Sequence, residues 1–212
     1  MRPRAWVERI VGLATIGAMA ATLGLPAAAN AAVADPAATQ IDGFDSALIE
    51  TMKDAKALGF TGRYHKLTPV VERTFDIPTM IRFAVGPGWA TIPAAQQAAL
   101  TGAFERLTVA SYAHNFDGYS GEHFDVDPNP TPTTGGVIVN TKLVQSSGEP
   151  VELNYLMRDG DAGWQILDVF LKGTVSELAT RRSEFSTVLR RDGAEALVHL
   201  IQNRADDLKK PA

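Results

Sequence analysis

The chain has 212 residues with 20 basic and 24 acidic side chains, a net charge of −4, and no cysteine. The missing thiols exclude disulfides, thiol catalysis, cysteine-ligated metals and lipidation at a cysteine. The acidic balance argues against nucleic acid and against a standing electrostatic hold on anionic lipid headgroups.

Arg2, Arg4 and Arg9 give a basic start, and Ile10 to Leu25 is a run of 16 uncharged residues. Pro26 ends it, and Ala29-Asn30-Ala31 fits the A-x-A cleavage pattern of an export signal. The run falls short of the ~20 residues that span a bilayer. Residues 1–31 are therefore expected to be a cleaved signal, with periplasmic delivery. Cleavage there takes away three arginines and Glu8, leaving 17 basic and 23 acidic residues and a net charge of −6. Residues 32–42 are Ala-rich without periodicity and are expected to be a flexible leader. Residues 43–208 are expected to form one domain.

In that domain, Phe44, Ala47, Leu48, Met52, Ala55 and Leu58 fall at helical spacing, and Gly59 can stop the helix. A second helix is expected over 62–74, and a short one over 77–85 with Pro78 in its first turn. Gly86-Pro87-Gly88 is a turn, and a long helix follows over 94–116. The period then changes to two. Strands are expected over 119–126, 135–146, 151–158 and 164–172, with Arg158 to Gly163 as a hairpin loop. Two helices close the chain, over 175–191 and 194–208. Helices, then a meander, then helices predict an α+β fold: helices packed on a curved antiparallel sheet of about four strands.

No sequence motif of hydrolytic, phosphate-loop or zinc chemistry is present. His65, His114, His123 and His199 lack ligand spacing for zinc. Asp125-x-Asp127-x-Asn129 opens like a calcium loop, but Pro130 and Gly136 stand where the loop needs Gly and Glu. Asp168 alternates in phase with Trp164, Ile166 and Phe170, so it is expected to point into an apolar environment. Burial would raise its pKa and make it a possible acid or base beside Tyr155. The competing reading is structural. Val175, Leu178, Arg182, Phe185 and Leu189 recur at helical steps, which places Arg182 in an apolar stripe. Buried charges persist when paired, so Arg182 is expected to pair with a sheet carboxylate, Asp168 being nearest and Glu195 or Glu152 the alternatives.

Val137, Val139, Leu143, Leu153, Tyr155 and Met157 give adjoining strands matching apolar faces. Periodicity alone favours an ordinary dry core over a cavity there. Resemblance points the other way. Phe75-Asp-Ile-Pro-Thr-Met-Ile-Arg-Phe-Ala-Val-Gly86 with Trp89, Gln97, Phe104, Tyr112, Val151-Glu-Leu-Asn-Tyr155, Gly163-Trp-Gln-Ile-Leu-Asp-Val169, Gly173-Thr-Val-Ser176, Arg182-Ser-Glu-Phe185 and Asp192-Gly193 resemble, in order and spacing, the MlaC-type periplasmic lipid-shuttle family, the toluene-tolerance auxiliary components. Leu178 to Phe185 resembles the hopanoid-associated HpnM branch most. Arg181 stands where family members often have an aromatic residue.

The resemblance implies a non-enzymatic monomer without cofactor or metal that encloses an apolar cavity and carries lipid as cargo. The cargo would be phospholipid or a hopanoid-type lipid. The partners would be an inner-membrane ABC transporter complex and an outer-membrane lipid complex. Phe83, Trp89, Phe104, Leu107, Val137, Val139, Leu153, Tyr155, Met157 and Val169 are the expected cavity lining, and Val139→Glu is expected to expel lipid with the fold largely kept. Two other readings remain: an isomerase-like enzyme using Asp168 with Tyr155, and a ligand-free adaptor.

Overall fold

The computed structural model describes residues 35–210; the expected signal, 1–31, lies outside them. Helix α1 spans Pro36–Lys53. Asp35 caps it, accepting from the Ala37 N–H at 2.8 Å, and Pro36 sits where a missing N–H costs nothing. This corrects the expected leader. From Pro36 onward the Ala-rich stretch is the first two turns of a helix, with Ala37, Ala38 and Ile41 buried. The small side chains allow close packing there, and helical spacing continues through Phe44, Leu48 and Met52.

Helix α2 spans Ala55–Thr74, with Gly59 out of helical geometry at φ 58°. Gly59 separates a first turn, 55–58, from the helix that follows, so the expected stop at Gly59 holds and the second helix begins slightly before 62. Arg63 is buried on α2 and is satisfied by main-chain carbonyls, Nε donating to Ala113 O at 2.8 Å and Nη1 to Ala55 O at 3.1 Å. Helix α3 spans Ile77–Val85 and is capped by Asp76. A 3-10 turn at Gly86–Thr91 leads to α4, Ala94–Asn115. The last helix, α5, spans Glu177–Asp207. Gly193, at φ 84° and ψ 177°, divides it into the two helical pieces that the sequence predicts.

The sheet consists of β1 (His123–Val126), β2 (Thr131–Thr133), β3 (Gly136–Val139), β4 (Thr141–Val144), β5 (Val151–Gly160), β6 (Gly163–Leu171) and β7 (Val175–Ser176). All the pairings between them are antiparallel. The seven pieces fall into four lanes with a two-residue edge. β3 and β4 share one register against β5, as Val139 faces Tyr155 and Lys142 faces Glu152. They are separated only at Asn140, whose carbonyl accepts from Asp127 N–H. β1 and β2 lie beyond β4 and β3 and are parted by the Pro128-Asn129-Pro130 segment. Prolines cannot donate to the ladder and so break an edge strand. The β5–β6 hairpin extends further than expected, to the pair Gly160 and Gly163.

One irregularity resets β6. Leu156 faces Asp168, yet Met157 faces Ile166. Leu167 is thus an extra residue, a β-bulge, and side chains beyond it change face. Ile166 and Val169 both join Tyr155 and Met157 on the inner face, while Asp168 points to the outer one. The expected phase of Trp164, Ile166, Asp168 and Phe170 is corrected accordingly.

Helix α1 lies against the sheet at β1, β3 and β6, with α2 and α4 behind it. The core runs continuously from Ile41, Phe44 and Leu48 through Leu100, Phe104 and Leu107 to Val139, Tyr155 and Met157. Among the described residues, no helix is long and apolar enough to cross a membrane.

Gly136 is required by the sheet. Its φ is 142°, and a Cβ there would sit 2.0 Å from the Met157 carbonyl oxygen. Gly136→Ala should lower unfolding free energy by about 2 kcal/mol or more. The neighbouring Gly135→Ala, which meets nothing within 4 Å, should stay within about 0.5 kcal/mol of the parent. Urea denaturation of both variants measures this, and equal losses would reject the clash.

Candidate functional site

Between α1, α4 and the inner sheet face lies an aromatic cluster. Phe44 on α1 is its hub. Its ring centroid is 5.3 Å from Phe75, 5.2 Å from Tyr112 and 6.1 Å from Tyr155, each edge-on. Tyr112 stacks on Phe116 at 5.8 Å, and Phe116 reaches Phe124 on β1. Edge-on pairs of this kind add about 0.5–1.5 kcal/mol each beyond the area they bury.

A polar node is set into this apolar mass. Asp45, next to the hub, is 1% exposed. Its Oδ1 accepts from the Tyr155 hydroxyl at 3.4 Å. Its Oδ2 is buried without a hydrogen-bond partner. Burial lifts the Asp45 carboxyl well above its ordinary value; the Tyr155 bond opposes this and the nearby Asp42 carboxylate adds to it. Burial likewise lifts the Tyr155 and Tyr112 hydroxyls, with the Asp45 charge acting in the same direction. Thr141 hydrogen-bonds the Leu153 carbonyl beside them. Sequence reasoning missed Asp45. The available signal was its position, four residues after Ile41 and three before Leu48, once the helix is seen to start at Pro36.

The expected Asp168–Arg182 pair does not form. Asp168 Oδ1 accepts from the N–H groups of Val169 and Leu178, at 2.8 and 3.2 Å, and Oδ2 accepts from the Ser176 hydroxyl at 2.5 Å. Ser176 in turn accepts from Ala179 N–H. Together they cap the start of α5, where the helix dipole favours a carboxylate. Burial raises the Asp168 carboxyl, and these hydrogen bonds and Arg181 pull it back. Arg182 is exposed and makes no ion pair among the described residues; its guanidinium lies over Gly86, with Nε 3.1 Å from where a Cβ would stand. Glu195 and Glu152 do not hold it either. The cause is phase. Val175 belongs to β7, the helix begins at Glu177, and the inward stripe runs through Leu178, Arg181 and Phe185. The inward arginine is therefore Arg181, missed in sequence because its neighbour fitted the extrapolated spacing.

The enzyme reading loses its geometry as well. Tyr155 faces Val169 across the ladder and Asp168 faces Leu156, so Tyr155 and Asp168 point to opposite sides of the sheet.

The other expected site residues divide into three sets. Val139, Leu153, Tyr155, Met157 and Val169 share the inner sheet face and are buried, with Val137 half-buried beside them. Phe104 and Leu107 approach from α4, Phe104 meeting Phe185 of α5 at 6.5 Å, and Trp89 packs half-buried against the core. Phe83 stands apart: it is 52% exposed on α3, which corrects its assignment to an interior lining. The buried positions are packed against one another in this structure. Leu107 also reaches a surface cleft, of about 490 Å³, between α4 and the two ends of α5. A second cleft of about 270 Å³, between Phe75, Pro78 and Gln165, involves none of them.

Comparison with known proteins agrees with this architecture. The model of the MlaC protein family matches residues 44–203. No curated protein matches the chain. Among solved structures, a phospholipid-binding protein from Ralstonia solanacearum in complex with a phospholipid superposes with a TM-score of 0.72. It is 20% identical, and the match covers 83% of this chain and 100% of that one. At that identity the likeness establishes the fold.

Asp45 gives a pH prediction. The folded chain keeps a proton there that the unfolded chain releases from about pH 4 upward. The native state then binds more protons, so stability falls as pH rises from about 4 toward the raised folded value. Asp45→Asn has no proton to release. Its unfolding free energy should therefore rise steadily relative to the parent's between pH 4 and 7, measured by urea denaturation. A pH-independent difference would assign the titration elsewhere, Asp168 and Glu105 being the other raised carboxyls.

Proposed function

This chain belongs to the MlaC family, and we propose that it is a periplasmic lipid carrier whose cargo chains lie between α4, α1 and the inner sheet face. The family match over 44–203 carries this reading. It is supported by the continuous apolar interior at that junction, formed by Val139, Leu153, Tyr155, Met157, Val169, Phe104 and Leu107.

The physical task is to take an insoluble tail through water. A sixteen-carbon chain gains on the order of 12 kcal/mol by leaving water. That drive needs only apolar side chains and no reactive group. Asp168 fits this account, since its oxygens are occupied in capping α5. These features support a binding protein rather than an enzyme. The structural neighbour was solved with phospholipid, so phospholipid is the cargo class proposed here. Transfer between an inner-membrane ABC transporter complex and an outer-membrane lipid complex is the proposed role. Because the interior is closed in this structure, loading must separate the helices from the sheet, and release is set by docking rather than by spontaneous loss.

Mass spectrometry of an organic extract of the purified protein should find stoichiometric lipid. Phospholipid would support the cargo class; a hopanoid-type lipid would place the chain in the hopanoid-associated branch instead. An extract without lipid, from protein that also takes none up from vesicles, rejects the carrier reading. Val139→Glu is a poor companion test, because Val139 is 0% exposed and an unpaired carboxylate there costs several kcal/mol. The expectation that it spares the fold is corrected. Leu107→Glu is better placed, since the cleft lets its carboxylate turn outward. That variant should keep a native far-UV spectrum and lose most of the co-purifying lipid.

A further inference from the structure

The cleft between α4 and α5 is amphipathic. Leu107 and Leu208 supply apolar surface, and Arg181, Arg204 and His114 reach it from three directions. Asp207 and Lys210 also line it but neutralise each other at 2.6 Å. The two guanidiniums are incompletely used. Arg181 Nη2 donates to Glu177 at 3.2 Å, and Arg204 Nη2 donates to Glu184. A guanidinium carries five N–H donors, and one of each is spent among the described residues. His114 Nδ1 lies 2.9 Å from the Leu208 carbonyl. A carbonyl only accepts, so Nδ1 carries the hydrogen and Nε2 is left over.

The cleft is also joined to the interior. Leu107 forms part of the buried core. The Arg181 charge is felt by Tyr112 in the aromatic cluster and by Asp168 at the start of α5. One wall of the cleft is thus the stretch of α5 whose Phe185 meets Phe104 inside.

We infer that this cleft seats the phosphate-bearing head of an anionic amphiphile, held by Arg181 and Arg204, while its tails pass Leu107 into the core. This rests on the carrier reading. Paired guanidiniums suit a phosphate because each presents a fork of parallel N–H groups. Glu177 and Glu184 hold the arginines in place when the seat is empty and yield one donor each when it fills.

The test follows transfer of a chain-labelled fluorescent phosphatidylglycerol from phosphatidylcholine vesicles to the full protein, beside a diacylglycerol with the same labelled chains. The double variant Arg181→Gln/Arg204→Gln should lose about tenfold in phosphatidylglycerol uptake and keep diacylglycerol uptake within about twofold. Glu184→Gln frees Arg204 and should raise phosphatidylglycerol uptake about two- to threefold. A structural role for the Arg204–Glu184 pair predicts instead that both changes weaken both probes, and that result overturns the seat. So does unchanged phosphatidylglycerol uptake by the folded double variant. Glycerol 3-phosphate separates lipid from free phosphate: displacement of labelled phosphatidylglycerol only at large excess supports a lipid head, whereas binding as tight as the lipid's would make this a site for soluble phosphate esters and overturn the proposal. If wild type captures neither lipid, the carrier reading fails together with the seat; if it captures both equally, only the seat fails.

Discussion

The structure depends on the contacts of a single ring. Phe44 touches Phe75 at the α2–α3 junction, Tyr112 on α4 and Tyr155 on β5, so three parts of the fold are referenced to α1 through one side chain. The contacts are edge-on and non-covalent, and among them only the Tyr155–Asp45 bond is directional. Around this ring the helix layer and sheet are therefore joined by apolar and aromatic surface, while hydrogen bonds cross at the edge, where Asp76 N–H donates to the Ile166 carbonyl and Arg158 pairs with Asp76. For the proposed carrier role such a seam has a use, since tail–aromatic contact can replace aromatic–aromatic contact at comparable area. Asp45 limits how well the closed state can do, because an unpartnered buried oxygen is a standing cost.

The bulge at Leu167 is the second determinant. Without it, Ile166 and Val169 would lie on opposite faces, and the inner face would lose one of them. With it, both line the interior and Asp168 is turned outward to meet the first turn of α5. One inserted residue thus completes the apolar face and anchors the helix that flanks it. The anchor has a matching close approach at the other side, where Gly86 and Gly88 lie under Arg182 and Leu189 of α5. A side chain at either glycine would displace the Arg182 or Leu189 side chain, and at Gly86 the positive φ of 77° adds backbone strain.

Elements governed by local chemistry were legible in the sequence. Pro78 at the start of α3, the Gly-rich hairpin turn and Gly193 between the closing helices all act through backbone geometry that a few residues specify. What failed was phase carried over distance. Extrapolating period two through Leu167 put Asp168 on the wrong face, because a bulge leaves no mark in hydrophobic alternation. Extrapolating helical steps back to Val175 chose Arg182 over Arg181, because Val175 is strand. The Ala-rich start of α1 lacked contrast, since alanine is at home in a helix and on a mobile segment alike. Asp45 was hidden by the same error. The interior itself was never a periodicity signal, because a dry core and a lipid-filled one place the same residues inward.

The remaining step concerns α5, which has two jobs. Phe185 and Leu178 close the core, while Arg181, on the same stripe, lines the surface cleft. A group that engages Arg181 therefore acts on the helix that closes the core. Asp168 and Ser176 fix its first turn, and the non-helical Gly193 marks where its direction is free to change. The segment between them is a rigid rod of four turns held at one end by capping bonds and along its length by apolar contact. In a molecule with net negative charge, the Arg181 guanidinium on that rod, facing Arg204 of the following helical piece across the cleft, is where an anionic head would be attracted. Head recognition and tail admission then share one structural element, so neither requires a separate relay through the sheet.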